Sequence, residues 1–313
     1  MLSLAVIIGY QFLFPQQHTV VRPPQPVVEK KAEAPVSVPI APVTPATTTA
    51  TEKEMRVENN YYSAVLSSKG GTIKSWAIKA YKDKNGQDVI LLKKPGVLPP
   101  LSIGADDTFD LANVDFNVSG TDLKLDSNKT SGTIVFEYSH EGVSIRRTYT
   151  FYADTYKVDI SDEVAGIPGY WISLGSDFGI YDNAASSGTQ IGPVLLTGTD
   201  LKELTPKKLR EPNIFMENLR WIAQEDKYFF SALVPATPVD EAKAWMYKES
   251  PVIAFKGKPG VNKFTLFAGP KEIKRLENLN IGLEHIINYG FFSIIARPLF
   301  WILLFFHSFI GNY

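Results

Sequence analysis

Residues Trp221 to Pro235 read WIAQEDKYFFSALVP. Tyr228, Phe230, Ala232 and Val234 fall at every second position, which is the period of a strand and not of a helix. The polar residues Gln224, Glu225, Asp226 and Lys227 sit together before that alternation. The stretch is read as one core strand with polar edges.

The same pattern extends in both directions. Upstream, Val57, Tyr61 and Val65 open a strand region at Glu54, Ser67-Ser68-Lys69-Gly70-Gly71 is a hairpin signal, and Thr72 to Tyr81 continues it. Asn85-Gly86 is a candidate for a type I′ turn. Further strand runs cover Ile134 to Tyr138, Val143 to Phe151, Tyr156 to Val164 and Tyr170 to Leu174. Downstream they cover Ala242 to Tyr247, Val252 to Phe255 and Lys263 to Phe267. Many short strands with no long helix between them predict a mainly β fold, a large antiparallel β-sandwich over residues 54–268. Gly175 to Arg210 is its loosest part, read as loops around a strand at Val194 to Thr197.

The flanks differ in composition. Met1 to Phe14, MLSLAVIIGYQFLF, is apolar but reaches only about 21 Å as a helix, short of a hydrocarbon core of about 30 Å. No Lys or Arg precedes Arg22. Residues 1–14 are therefore expected to be a truncated membrane anchor, with a cleaved signal peptide as the other reading. Residues 15–53 are rich in Pro, Val, Ala and Thr without apolar periodicity, and are expected to form a disordered tether.

At the other end, residues 269–289 are expected to form a helical linker. Gly269 is placed at the N-cap and Pro270 in the first turn, with Ile273, Leu276 and Leu279 at helical spacing. Residues 290–313 then turn almost wholly apolar, with Arg297 as the one fixed charge from Phe291 to Ile310. Phe291, Phe292, Ile295, Leu299, Phe300, Trp301, Leu303 and Phe306 are too many apolar side chains for one small soluble core. Ser293, Arg297 and Ser308 fall close to one narrow face. An amphipathic helix lying in the membrane interface is favoured over one that spans the bilayer, with Arg297 snorkelling to the headgroups.

Two runs resemble a known family. PKEIKRLENLNIGLEHIINYGFFSIIARPLFWILLFFHSFIGNY, from Pro270 to Tyr313, and WIAQEDKYFFSALVP are similar to the YidC/Oxa/Alb family of membrane protein insertases in its Gram-negative type. The resemblance implies a periplasmic sandwich of the galactose-mutarotase-like super-sandwich kind, then a helical linker, an interface helix and five core membrane helices. On that reading the chain is the N-terminal part of such a protein, and its last segment leads to the core. It also implies an inner-membrane location with the main domain in the periplasm, and a function in inserting and folding inner-membrane proteins, alone or with the Sec translocon. Nascent inner-membrane proteins, the Sec translocon including SecF, and the lipid bilayer are the implied partners. The family's functional arginine lies on the first core membrane helix, beyond Tyr313, and is not Arg297.

Composition narrows the alternatives. A net charge of −1 gives no footprint for nucleic acid. With no Cys there is no disulfide framework and no thiolate ligand or nucleophile. Mutarotase-type catalysis needs a pair of His with a Glu, and His140 is the one His between Glu54 and Ala268. No catalytic, cofactor or metal site is expected, and the chain is not expected to be an enzyme. The competing reading from another class is a membrane-anchored carbohydrate-binding or structural β-sandwich module.

Overall fold

A computed structural model describes residues 52–92, 96–181 and 191–287. The chain divides into two units, residues 1–43 and 44–313, and every described residue lies in the second.

The strands, in chain order, are β1 (Glu54–Glu58), β2 (Tyr62–Ser67), β3 (Thr72–Lys82), β4 (Asp88–Leu92), β5 (Ile103–Gly104), β6 (Asn117–Ser119), β7 (Leu123–Lys124), β8 (Ser131–His140), β9 (Val143–Tyr152) and β10 (Lys157–Ala165). They continue as β11 (Tyr170–Ser173), β12 (Gly192–Thr197), β13 (Asp200–Glu203), β14 (Asn213–Phe215), β15 (Leu219–Glu225), β16 (Phe229–Pro235), β17 (Glu241–Tyr247), β18 (Ser250–Gly257) and β19 (Gly260–Pro270). One short helix, α1 (Ile273–Asn278), and a 3₁₀ turn at Leu283–Ile286 follow.

The strands form a nine-stranded sheet, β13-β12-β15-β16-β19-β10-β9-β8-β6, and two five-stranded sheets, β4-β3-β2-β1-β7 and β14-β17-β18-β11-β5. Among the described strands every pair is antiparallel except β1 with β7. In β9, Ile145, Arg147, Tyr149 and Phe151 are buried while the residues between them are not. In β1, Met55 and Val57 alternate with exposed neighbours in the same way. A buried row from each of the three sheets joins one apolar cluster, which is the arrangement of a β-sandwich, and the other face of the β14-β17-β18-β11-β5 sheet carries a smaller cluster around Trp171 and Trp245. The fold is mainly β and antiparallel, as expected.

One buried row carries charge. Arg147 on β9 donates from Nε to Asp162 Oδ1 and from a terminal nitrogen to Asp162 Oδ2, both at 2.7 Å. Both side chains are fully buried. The other terminal nitrogen donates to the Leu101 carbonyl at 2.6 Å, and Tyr149 Oη donates to the Gly71 carbonyl at 2.7 Å. Tyr170 Oη donates to Asp162 Oδ2 at 3.0 Å. Burial alone would lower the Arg147 pKa, yet Asp162 and the two tyrosines hold it above its ordinary value. The network pins two loops of the opposite layer to the large sheet. One is the Gly70-Gly71 turn, where φ is positive at both residues and a Cβ at Gly70 would lie 2.4 Å from the Ala112 carbonyl oxygen. That turn is the expected Ser67 to Gly71 hairpin between β2 and β3.

Asn85-Gly86 does not form a type I′ turn. Gly86 has φ of 76°, but Asn85 is not among the residues with positive φ. Lys82 pairs with Asp88, and the Asp83 carboxylate accepts from the Asn85 and Gln87 N–H groups, both at 2.8 Å. The Asp side chain organises a longer loop and removes the need for a two-residue turn.

Candidate functional site

The two runs that stand out in the sequence meet in space, at the junction between the sandwich and the linker. WIAQEDKYFFSALVP is a hairpin and not one strand: β15 ends at Glu225 and β16 begins at Phe229. Asp226 makes the turn. Its Oδ1 accepts from the Tyr228 and Phe229 N–H groups, both at 2.8 Å, and its Oδ2 from the Tyr181 N–H at 2.7 Å. Tyr228, the first residue of the alternation, is 60% exposed at the turn, while Phe229 and Phe230 are both buried.

Period-two geometry puts Trp221, Ala223 and Glu225 on one face of β15 and Ile222 and Gln224 on the other. All five are buried. Gln224 Nε2 donates to the Gly175 carbonyl, on the sandwich side. The Trp221 face is covered by the linker. Trp221 Nε1 donates to the Gly282 carbonyl at 2.9 Å, and Glu225 pairs with Lys271, their side chains being 4% and 17% exposed. Most of the polar run is therefore not solvated: Gln224, Glu225 and Asp226 are as buried as the apolar residues around them, and Lys227 is exposed.

The linker itself begins later than its pattern suggests. Gly269 and Pro270 are still strand residues, paired in β19 with Phe230 and Phe229. The N-cap is Glu272, and α1 is six residues long. Lys271 N–H donates to the Tyr228 carbonyl at 2.9 Å. The sheet ladder captures Gly269 because β16 offers it a complete partner. Glu272 then accepts from Tyr81 Oη and, at 2.8 Å, from Arg275 Nε. The Arg275 guanidinium lies 4.7 Å from the ring centre of Tyr61 and 5.2 Å from that of Tyr156, within cation–π range. Leu276, Leu283 and Ile286 are buried in the main cluster.

Electrostatics at the junction run in opposite directions at its two carboxylates. Burial pushes the Glu225 carboxyl up from its ordinary 4.5 to about 7, against the pull of Lys271 and helped by Glu203 and Asp226. Burial would also raise Glu272, but hydrogen bonds from Tyr81 and Arg275 hold it below its ordinary value.

Trp221, Gln224, Asp226 and Lys227 were family-like in sequence without an evident role. The structure makes Trp221 a linker clamp, Gln224 a loop clamp and Asp226 a turn organiser. Tyr61, Tyr81, Tyr156 and Arg275 were not singled out. Their available signal is weak: Glu272, the N-cap of α1, and Arg275 stand three apart and form an ion pair. Phe291, Phe292, Ile295, Arg297, Leu299, Phe300, Trp301, Leu303 and Phe306 lie outside the described residues. His140 sits at the tip between β8 and β9 with a side chain that is 61% exposed, beside Glu141. Among the described residues no group of His, Cys, Asp and Glu is arranged to hold a metal ion, and no helix is long and apolar enough to cross a membrane.

Fold and junction together define an antiparallel β-sandwich domain that carries its C-terminal linker as a docked part of its core. Residues 54–302 match the model of the YidC periplasmic domain, and the chain belongs to that family. It is 26% identical over its full length to a membrane protein insertase YidC of Syntrophus aciditrophicus, and 28% identical, again over its full length, to one of Oleidesulfovibrio alaskensis. The chain spans 65% and 63% of the length of these two relatives. Among solved structures, it is similar to an active YidC insertase, with 12% identity and a TM-score of 0.42 over 84% of this chain and 52% of that one. It is also similar to a galactose mutarotase related enzyme from Lactobacillus acidophilus, with 13% identity and a TM-score of 0.43 over 69% of this chain and 97% of that one.

Proposed function

We propose that this chain is the periplasmic sandwich, linker and membrane-interface segment of an inner-membrane insertase, and that its task is to place the insertion machinery and not to perform bond chemistry. The family match over 54–302 carries this reading. The docked linker supports it, because a domain that only tethered a ligand to the membrane would need no such junction. On this reading residues 1–14 anchor the chain, residues 15–53 reach to the domain, residues 54–268 form it, residues 269–289 link it, and residues 290–313 lie on the periplasmic membrane face. Nascent inner-membrane proteins are the clients, and the Sec translocon, SecF included, is the companion.

The activity is tested in a Gram-negative cell depleted of its own insertase. That cell's insertase, with its own periplasmic sandwich, linker and interface segment replaced by residues 54–313 of this chain, should restore insertion of a single-span client. Failure to restore it, with the protein present in the membrane, would overturn the reading. The placement of the last segment has its own test. Single Cys replacements at Gly290 and Asn312 should both react with a membrane-impermeant thiol reagent from the periplasmic side; the native chain has no Cys to obscure the result. Reaction of Asn312→Cys from the cytoplasm alone would show a spanning segment. Leu303→Asp and Phe306→Asp should loosen membrane attachment and leave the sandwich folded, since each large apolar side chain contributes about 1.5–3 kcal/mol of burial.

A further inference from the structure

The outward face of the nine-stranded sheet carries a cavity of about 330 Å³ over β9, β10 and β19. Strand register sets its lining as two cross-strand rows. Thr150, Asp159 and Thr265 form one, and Thr148, Ser161 and Lys263 form the other. Ala236, just past β16, stands at the rim, its N–H given to the Lys263 carbonyl at 2.8 Å.

The two rows are chemically unlike. Asp159 is already engaged: Tyr152 Oη donates to it at 2.6 Å, Thr265 Oγ1 at 3.0 Å, and Lys157 pairs with it at 3.0 Å. Tyr152 and Thr265 have spent their protons on that carboxylate, so their free lone pairs face the cavity as acceptors. The hydroxyls of Thr148, Thr150 and Ser161 and the ammonium of Lys263 have no side-chain partner among the described residues. They are free to donate, and the hydroxyls also to accept. Acceptors thus gather around Asp159, and hydroxyls that can both donate and accept stand in both rows.

From this arrangement we infer that the face binds a neutral, polyhydroxylated ligand the size of one or two sugar rings. Three observations select that class. The floor strands β9, β10 and β19 are all interior to the sheet, so their backbone groups are used in ladders and cannot pair with an extended peptide. The side chains of Ile160 and Phe264 turn inward and are buried, which leaves no apolar pocket for a peptide side chain. Asp159 is already neutralised by Lys157, and Lys263 alone, with no Arg and no free strand N–H in the lining, does not make a phosphate clamp. Groups that both donate and accept at short spacing suit hydroxyls, and the volume lies at the small end of the ligand-pocket range of about 300–1,000 Å³.

Saturation-transfer difference NMR on the 313-residue chain tests this, in a phosphocholine detergent that carries no sugar of its own. Maltose and N-acetylglucosamine are the probes, with tetra-alanine as the peptide control. Transfer to sugar ring protons is expected, and Thr150→Val with Ser161→Ala should weaken binding about tenfold with an unchanged circular dichroism spectrum. Lys263→Met, at an exposed strand position, is the second variant should the first not fold, and it should weaken binding as well. No transfer to either sugar, undiminished transfer in the folded variants, or transfer to tetra-alanine in place of the sugars would each overturn the assignment.

Discussion

Arg147 and Asp162 are two charges sealed from water, and backbone is what they hold. Removing one partner leaves the other buried and unpaired, so Arg147→Met should destabilise the domain by about 3–5 kcal/mol in chemical denaturation. Adding Asp162→Leu to it should recover much of that loss, because the remaining uncompensated charge is gone. If the double variant is no more stable than the single one, the network does more than neutralise itself. Glu225 makes the complementary case. Its folded-state carboxyl keeps a proton to about pH 7, above its ordinary 4.5. In that window the folded state binds more protons than the unfolded chain, so the stability Glu225 contributes is present at low pH and is lost as pH rises toward 7. Native chain should be measurably less stable at about pH 8 than at about pH 5, and Glu225→Gln should flatten that slope. An unchanged slope would assign the pH dependence to another group. Neither residue could be singled out from sequence. Arg147 sits in a strand of alternating character where the next residue, Arg146, is solvated and pairs with Glu137. Which of two adjacent arginines faces inward depends on register, and register is set by distant pairings.

At the scale of elements, the linker is where sequence and structure part most usefully. Its apolar spacing foretold the right buried residue in Leu276, but not that β19 would run on through Gly269 and Pro270. A Gly-Pro pair before a charged amphipathic run has the local chemistry of a helix start; the neighbouring strand β16 decided otherwise. WIAQEDKYFFSALVP misled in a related way. Its second half alternates by eye, yet both faces of β15 and β16 are covered, so polarity no longer marks direction. The strands at 54–82 and 131–165 are legible because one face of each is more open to water, and those at 241–270 because their apolar runs are bounded by turns. β13 and β14 are not legible, being three or four residues long in a polar region. The docking of the linker has a direct consequence for stability. Leu276→Ala or Ile286→Ala should each cost about 2–5 kcal/mol. The loss should appear in the global unfolding transition, since these side chains belong to the main cluster. Trp221→Phe, which removes the indole donor from a Gly282 carbonyl that His285 also contacts, should cost about 0.5–1.5 kcal/mol. Hydrogen exchange that quickens in Leu276 to Ile286 alone, with the strands unaffected, would instead mark the linker as a separate unit.

For the molecule as a whole, three sheets share one apolar cluster with the linker, so unfolding of the described region should be a single cooperative event. A chain cut after Pro270 would lose Leu276, Leu283 and Ile286 from that cluster along with the ion pairs of Lys271 with Glu225 and of Arg275 with Glu272. It should melt at a lower temperature than the uncut chain, by differential scanning calorimetry. Equal melting temperatures would make the linker a passenger.

The clamp from Trp221 to Gly282 and the seat of Arg275 between Tyr61 and Tyr156 also fix where the polypeptide leaves the domain. Past Ile287 the backbone departs from a point keyed to the sandwich, not from the end of a swivel. A pull applied at Ile287 is then borne by the sandwich itself, through the Gly282 carbonyl and the Arg275 guanidinium. In mechanical terms the sandwich and the chain as far as Ile287 are one handle, and its grip holds only as long as the tyrosines keep hold of that arginine.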